Sequence, residues 1–336
     1  MKIIVDGYGG DNAPLEIIKG AVAARAEYGV EIALTGNTEQ IREIAGKNGI
    51  PVDTLELIQA PSIIHAHDEA KTVLKQKADS SMGLALRIVA DGGADASVSA
   101  GPTGAYLMGA TMIVKRIKGV RRPALGAVMP GMKNPYILVD CGANAEVRPE
   151  MLEQFGVMGS IYMKNVMGVK NPRVGLANNG AEEGKGTGLQ RDAYRLLSEN
   201  KAINFTGNIE GRDIPEGICD VVVADGFTGN IILKTVEGVA YMMFSLIKDV
   251  MMENTRTKIA AMMLKPGLKG LKNKTDYTEY GGAPLIGLQK PVVKAHGSSD
   301  AKAIKNAVRQ AIQWSSAGVG AEIEAVLGKD AANVKD

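Results

Sequence analysis

The chain is poor in the residues most enzymes use as reactive groups: two cysteines, Cys141 and Cys219, and three histidines in 336 residues. The cysteines show no CxxC spacing and have no histidine close by in sequence, which excludes a disulfide framework and a cysteine-rich zinc site. Such sparing use suits a reducing cytoplasm. An excess of either charge is also missing, since 39 Lys and Arg against 37 Asp and Glu leave +2 at pH 7. That balance implies no general affinity for nucleic acid. The first residues run straight into a strand-like Lys2-Ile3-Ile4-Val5-Asp6, so no signal peptide is expected there. The nineteen residues from Ala96 to Val114 carry no charge, but Gly101, Pro102 and Gly104 interrupt them. Strand, loop and helix are expected there, not a membrane span.

Familiar catalytic signatures are missing too. Gly180-Ala181-Glu182-Glu183-Gly184-Lys185-Gly186 has three residues between its glycines where a P-loop needs four, and no Ser or Thr follows the lysine to hold magnesium. Gly7-Tyr8-Gly9-Gly10 has the wrong spacing for a dinucleotide fingerprint, and no GxSxG elbow occurs. His65 and His67 lie beside Asp68 and Glu69 in what reads as a surface loop rather than a metal pair. Cys141 has no neighbour in sequence to lower its pKa, so it reads as a small buried residue and not a nucleophile.

What is abundant is glycine, forty-one residues against a usual ~7%. The glycines cluster between short β-branched runs and helical stretches. Ile3 to Asp6 leads to Gly7-Tyr8-Gly9-Gly10-Asp11, with a helix from Pro14; Val30 to Thr35 leads to Gly36-Asn37 and a helix over 39–47. The pattern repeats at Asp95 to Ser99, Tyr136 to Asp140, Arg173 to Ala177, Asp220 to Ala224 and Val292 to Ala295. Strands alternating with helices predict a doubly wound, mostly parallel α/β/α sheet, read as one domain over 1–328 with a disordered tail at 329–336. In such a sheet the loops after the strands meet at one edge, where ligands bind. All the elbows follow strands in one sense, so convergence on a single crevice is expected. Glycine elbows at helix N-termini suit phosphate, because backbone N–H groups point at the anion and glycine lets it come close. Ser298-Ser299-Asp300 reads both as a helix cap and as a phosphate cradle.

One helix does not fit a simple crossover. Apolar residues recur helically from Asn230 to Arg256, at Ile232, Val236, Val239, Met243, Leu246, Ile247 and Val250. At 1.5 Å per residue this helix is roughly 40 Å long, so it should project and find a partner in a second copy of the chain. The following segment, 254–275, holds six basic residues and no acidic one, interleaved with apolar side chains and broken at Pro266-Gly267. It reads as a surface for anionic lipid or an acidic protein, through Lys258, Leu264, Lys265, Leu268, Lys269, Leu271 and Lys272.

Several blocks, taken in order, resemble those of PlsX-type phosphate acyltransferases. They are Val5-Asp6-Gly7-Tyr8-Gly9-Gly10-Asp11-Asn12-Ala13-Pro14, Ser99-Ala100-Gly101-Pro102-Thr103-Gly104-Ala105, Gly142-Ala143-Asn144 and Glu182-Glu183-Gly184-Lys185-Gly186. Further blocks are Gly207-Asn208-Ile209-Glu210-Gly211-Arg212-Asp213, Asp225-Gly226-Phe227-Thr228-Gly229-Asn230, Glu279 to Leu285 and Lys294-Ala295-His296-Gly297-Ser298-Ser299-Asp300. The match is collinear to about residue 327. It departs at Pro102, where an asparagine is usual, at Gly7-Tyr8 for Ala-Met, and at Cys141 for a branched aliphatic. The resemblance implies transfer of an acyl group from acyl-carrier protein to inorganic phosphate for phospholipid synthesis, with no cofactor and no metal. It also implies a fold like isopropylmalate dehydrogenases and phosphotransacetylases, a homodimer, peripheral membrane attachment, and a membrane glycerol-phosphate acyltransferase as the next enzyme. Two rival functions stand beside it: a coenzyme A-dependent phosphate acetyl- or butyryltransferase, which would use the same elbows, and a non-catalytic scaffold for carrier protein or membrane. Within the acyltransferase reading, Lys185 is expected to neutralise phosphate or the oxyanion and Asn230 to donate to the carbonyl oxygen. His296 would orient phosphate or relay a proton, with Asp225 beside them. Gly9, Gly10, Asp11, Thr103, Gly104, Asn144, Gly186, Gly229, Gly297 and Ser298 would form the phosphate and substrate cradle.

Overall fold

Continuous apolar runs such as Ile3-Ile4-Val5, Ile137-Leu138-Val139 and Val221-Val222-Val223 are wholly buried, as strands covered on both faces must be. The computed structural model describes residues 1–275 and 277–333, with side chains for all of these except 269, 271–275, 277–278 and 329–333. In chain order the elements are β1 (Lys2–Asp6), α1 (Leu15–Tyr28), β2 (Glu31–Gly36), α2 (Thr38–Lys47), β3 (Glu56–Gln59), α3 (Ser81–Ala90), β4 (Ala96–Ser99) and α4 (Thr103–Gly109). There follow β5 (Ala124–Met129), β6 (Tyr136–Val139), α5 (Pro149–Asn165), β7 (Arg173–Asn178), α6 (Gly188–Glu199), β8 (Asn204–Glu210) and β9 (Val221–Val223). The last are α7 (Gly226–Met252), α8 (Thr255–Thr275), β10 (Ala283–Ile286), β11 (Val292–Lys294), α9 (Ala301–Ser316) and α10 (Val319–Asn333). The uncharged stretch 96–114 is strand, loop and helix as its glycines and proline predict, α4 ending in a π-helical turn at Ala110–Val114.

Among the described residues eleven strands join one sheet in the order β3-β2-β1-β4-β11-β10-β5-β6-β9-β7-β8. Helices α1, α2, α5, α6, α9 and α10 share one large core on one face, through residues such as Ile17, Phe155 and Ile304. Helices α3, α4 and the start of α7 pack into separate cores on the other, through Ala85, Met82, Ala105 and Leu233. This is the expected α/β/α sandwich.

The strand directions differ from expectation. β3, β2, β1, β4 and β11 are mutually parallel, and so are β6, β9, β7 and β8. Between the blocks lie three antiparallel pairings, β11 with β10, β10 with β5 and β5 with β6. An odd number of reversals sets the two parallel blocks running in opposite senses. The elbows therefore do not all leave strands in one sense, and β10 and β5 form the seam between two half-sheets.

The long helix starts four residues earlier than its apolar stripe suggests, because Asp225 caps it by accepting the Thr228 N–H at 2.8 Å. Beyond its first turns it is exposed, and helix α8 continues through Pro266 where a break was expected. Lys258, Leu264 and Lys265 are exposed and Leu268 is half-buried; the side chains of Lys269, Leu271 and Lys272 lie outside the described residues. The backbone stays helical to Asn333, past the start of the expected tail, and 334–336 lie outside the described residues.

Candidate active site

Each half-sheet delivers elbows to the seam, and carboxylates hold those elbows in shape. Asp140, fully buried after β6, accepts N–H groups from Leu125 at 3.0 Å, Gly142 at 3.2 Å and Ala143 at 3.0 Å on Oδ1, and from Asn144 at 2.6 Å on Oδ2. Charge-assisted bonds of this kind fix a loop more firmly than neutral ones. Asp225 does the same after β9, taking the Thr228 N–H and its hydroxyl at 2.7 Å. On the other side Asp300 caps α9 through the Ala303 N–H at 2.9 Å.

A cleft of about 490 Å³ opens between these elbows. One wall is apolar, from Leu125, Ala127, Val128, Leu233 and Ala283. The polar groups on it are Thr103, Asn230, Lys234, Glu237, Lys294, His296 and Ser299. Lys294 ends β11 only 7% exposed, and its ammonium donates to the carbonyl oxygens of Ala100, at 3.3 Å, and Ala295. Burial pulls its pKa down to about 8, against the pull of the Asp6 and Asp11 carboxylates. Asp6 is itself buried and accepts the Ser99 hydroxyl at 2.7 Å; burial raises its pKa, opposed by hydrogen bonds from Ser81 and Ser99.

His296 faces the same space. Its Nδ1 lies 2.9 Å from Ser298 Oγ and accepts the Ser298 N–H at 3.2 Å, which places the imidazole proton on Nε2. Burial first, and then Lys234, hold its pKa below the ordinary value, so the ring is neutral at pH 7. Nε2 stands 3.4 Å from Lys234 Nζ, which pairs with Glu237 at 2.8 Å. Two donors so close face a common point that suits an anionic oxygen. Nearby, the buried Ser299 hydroxyl has no partner among the described residues. Such a group costs free energy unless something bound satisfies it.

Of the residues singled out in the sequence, Thr103, Asn230, His296 and Gly297 line this cleft. Ser298 acts on it through His296, and Gly104 follows Thr103 in α4. Gly10 and Asp11 support the His296 elbow from behind, while Gly9 packs against Gly101, Asp6 and Ser99. The Asp11 N–H donates to Gly297 O at 2.8 Å, and Gly10 sits at φ +100, where a Cβ would come 2.8 Å from that same oxygen. Asn144 spends its side chain on Asp140 and Pro123 O, both at 2.8 Å. Gly229 is there for packing, since a Cβ would stand 1.9 Å from Asp140 O. Asp225 is a helix cap outside the cleft lining. Lys185 and Gly186 lie on the exposed β7 elbow, braced by Asn178 to Lys185 O at 3.2 Å, and do not line the cleft. Neither do His65 and His67, which stack on each other. Cys141 is buried in the cleft floor, and burial pushes its thiol pKa well up.

Sequence reasoning missed Lys294, Lys234 and Glu237, and read Ser299 only within the Ser298-Ser299-Asp300 cap and cradle. Two signals were present. Lys294 is the only charge in the run Val292-Val293-Lys294-Ala295, and Lys234 and Glu237 follow Asn230 at the four- and three-residue spacings of one helix face.

The family model described as fatty acid synthesis protein matches residues 1–322. A phosphate acyltransferase of Alkaliphilus oremlandii is 50% identical over 314 residues, 94% of this chain and 93% of that protein. Another, from Clostridium botulinum, is 47% identical over 329 residues and 98% of both chains. The chain belongs to the PlsX family of phosphate acyltransferases. It is thus an acyltransferase whose acceptor is phosphate. Among solved structures, a phosphotransacetylase from Streptococcus pyogenes superposes with a TM-score of 0.65 at 19% identity, covering 94% of both chains. A branched-chain phosphotransacylase from Enterococcus faecalis gives 0.59 at 14% identity, with 94% of this chain and 99% of that one covered. At such identities the likeness is one of fold, and it is the fold expected from the sequence.

Proposed function

We propose that this cleft moves a long-chain acyl group from acyl-carrier protein to inorganic phosphate, supplying acyl phosphate for phospholipid synthesis. The observation that carries the reading is the meeting of Lys294, Lys234, the His296 Nε2–H and the unpartnered Ser299 hydroxyl beside an apolar wall. Inorganic phosphate carries anionic oxygens at pH 7 and is already a nucleophile. The cationic side chains and the two neutral donors hold it with one oxygen toward the thioester carbonyl carbon. That oxygen forms the new C–O bond, and Asn230 donates to the carbonyl oxygen as it becomes an oxyanion. Collapse breaks the C–S bond, and the thiolate, whose conjugate acid has a pKa near ~8.5, leaves and takes a proton from water. Leu125, Val128 and Leu233 give the first carbons of the acyl chain a dry surface. Lys185, on the neighbouring elbow, keeps a supporting electrostatic role at most.

The hairpin of α7 and α8 serves assembly and attachment. Exposed Tyr241, Met242, Leu246 and Val250 suit a second copy of the chain. Helix α7 is long and apolar enough to cross a membrane by length and composition. Residues up to Glu237 are committed to the cleft, however, and the fifteen that remain span roughly 22 Å against a ~30 Å hydrocarbon core. Peripheral attachment is the better reading. Ile259, Met262, Met263 and Leu264, exposed among the cations of α8, would enter the interface of an anionic membrane.

The test is mass-spectrometric detection of acyl phosphate from long-chain acyl-carrier protein and phosphate, run beside acetyl-coenzyme A. Preference for acetyl-coenzyme A would assign the chain to short-chain phosphate acyl transfer, and binding of carrier protein without product would make it a scaffold.

A further inference from the structure

A second concave surface lies at the seam, on the segment that leads into β5. The run Lys115-Arg116-Ile117-Lys118-Gly119-Val120-Arg121-Arg122 holds five cations and no acid. All five line a groove of about 890 Å³, together with Met112 and Met151 and, among the described residues, with no acidic residue in its lining. The five cationic residues are exposed, and none enters an ion pair among the described residues. Unpaired like charges crowded on a short segment repel one another, so their concentration calls for an anionic partner.

The segment is held rigidly. The Ile117 N–H donates to Gly287 O at 2.9 Å, and the Gln289 N–H to Lys115 O at 3.0 Å. Buried in α5, Gln154 clamps the bend from below, accepting the Arg121 N–H at 2.8 Å and donating to Gly119 O at 3.0 Å. Arg116 turns inward onto the carbonyls of Val120 and Arg121. Lys115, Lys118, Arg121 and Arg122 are thereby fixed in place without being used up.

Its position completes the reading. Arg122 is three residues from Leu125 in the cleft wall, a path of at most ~11 Å. Between them Pro123 O takes the Asn144 side chain, which ties the groove to the Asp140 elbow. A carrier protein presents its thioester at the end of a flexible prosthetic arm, so its docking surface must lie beside the cleft and not in it. We propose that the basic groove formed by 115–122 docks the acidic acyl-carrier protein that donates the acyl group. The assignment rests on carrier protein being the donor. Exposed Met112 gives the docked surface an adaptable apolar contact among the charges. It also separates duties, leaving the cations of α8 to the membrane.

The test is the triple charge reversal Lys118→Glu, Arg121→Glu, Arg122→Glu, which leaves Arg116 and every cleft residue in place. Acyl phosphate formation is measured with two donors, the long-chain acyl-carrier protein and the same acyl group on pantetheine alone. The apparent KM for the carrier should rise at least tenfold, while turnover of acyl-pantetheine stays within twofold and reports an intact fold and cleft. Raising salt should increase the wild-type KM for the carrier and leave that for acyl-pantetheine unchanged. An unchanged carrier KM in the variant overturns the proposal, and if binding to phosphatidylglycerol vesicles falls instead, the groove is a lipid site. Failure of the wild type to use carrier protein while it consumes acyl-pantetheine would overturn the donor reading itself, a distinct result.

Discussion

The cleft and the α7–α8 hairpin place their charged and apolar residues in opposite ways. In the cleft, charge is scarce and its central member is buried: Lys294 sits at 7% exposure within reach of Asp6, with Lys234 at the more open side, and much of the apolar wall is made by strand residues that the fold needs anyway. On the hairpin, cations are plentiful and solvated, and large apolar side chains such as Tyr241, at 80% exposure, and Met263, at 79%, face outward. Buried charges have few places to go and can be aimed, whereas solvated charges act as a field and scarcely depend on position. Chemistry should therefore hinge on single atoms in the cleft, and attachment on sums over the hairpin.

The largest effect should come from Lys294→Met. Removing one donor that stabilises a transition state costs about 10²–10³ in kcat. Turnover with saturating phosphate should fall at least a hundredfold, and vesicle binding should not change. Lys185→Ala, on the exposed β7 elbow, should cost less than Lys294→Met. A reversed ranking in steady-state kinetics would move the anion site to that elbow.

On the hairpin, exchanging Ile259, Leu264 and Leu268 for glutamine should abolish binding to anionic vesicles in a flotation assay, with turnover on soluble donor kept within twofold. Loss of turnover together with binding would break the division between the two regions. Met242→Glu with Leu246→Glu should convert a dimer to monomer in sedimentation at micromolar concentration. A parent chain already monomeric there would show that the exposed face of α7 serves something else.

Much of the fold was legible because parallel strands buried on both faces announce themselves as β-branched runs. β1, β2, β6, β7, β9 and β11 were all read within a residue or two. The seam was not legible. β5 reads Ala-Leu-Gly-Ala-Val-Met, rich in small residues, and β10 contains Pro284, which argues against an interior strand. These are the strands that reverse the sheet, so the direction of the second half could not be foreseen. In the site, glycine elbows pointed to His296, Asn230 and Thr103, which line the cleft. The attention drawn to glycine passed over Lys294, whose character comes from burial, a tertiary property that no spacing encodes. Lys185 is the opposite case: it stands in a glycine elbow, but after β7, one place beyond β9 and away from the seam.

The smallest effect concerns pH, and it sharpens the comparison most because only the buried region should respond. Lys294 has a folded pKa of about 8, below its ordinary 10.5, because burial disfavours the charged form. Below pH 8 it is an ammonium able to bind phosphate; above, it is a neutral amine. The apparent KM for phosphate should therefore rise severalfold between pH 7 and pH 9, with little change in the binding of vesicles by the hairpin. Unfolding does not explain such a rise. With its pKa lowered in the folded state, Lys294 gives up its proton more readily folded than unfolded, so between pH 8 and 10.5 the unfolded chain holds more protons at this residue. Its contribution to stability thus increases with pH across that window. Thermal midpoints measured alongside should show no loss from this residue as phosphate affinity declines. Lys294→Met should flatten the pH dependence of KM altogether. If the variant instead keeps the wild-type profile, the titrating group is not Lys294, and the anion is held by Lys234 and His296 alone.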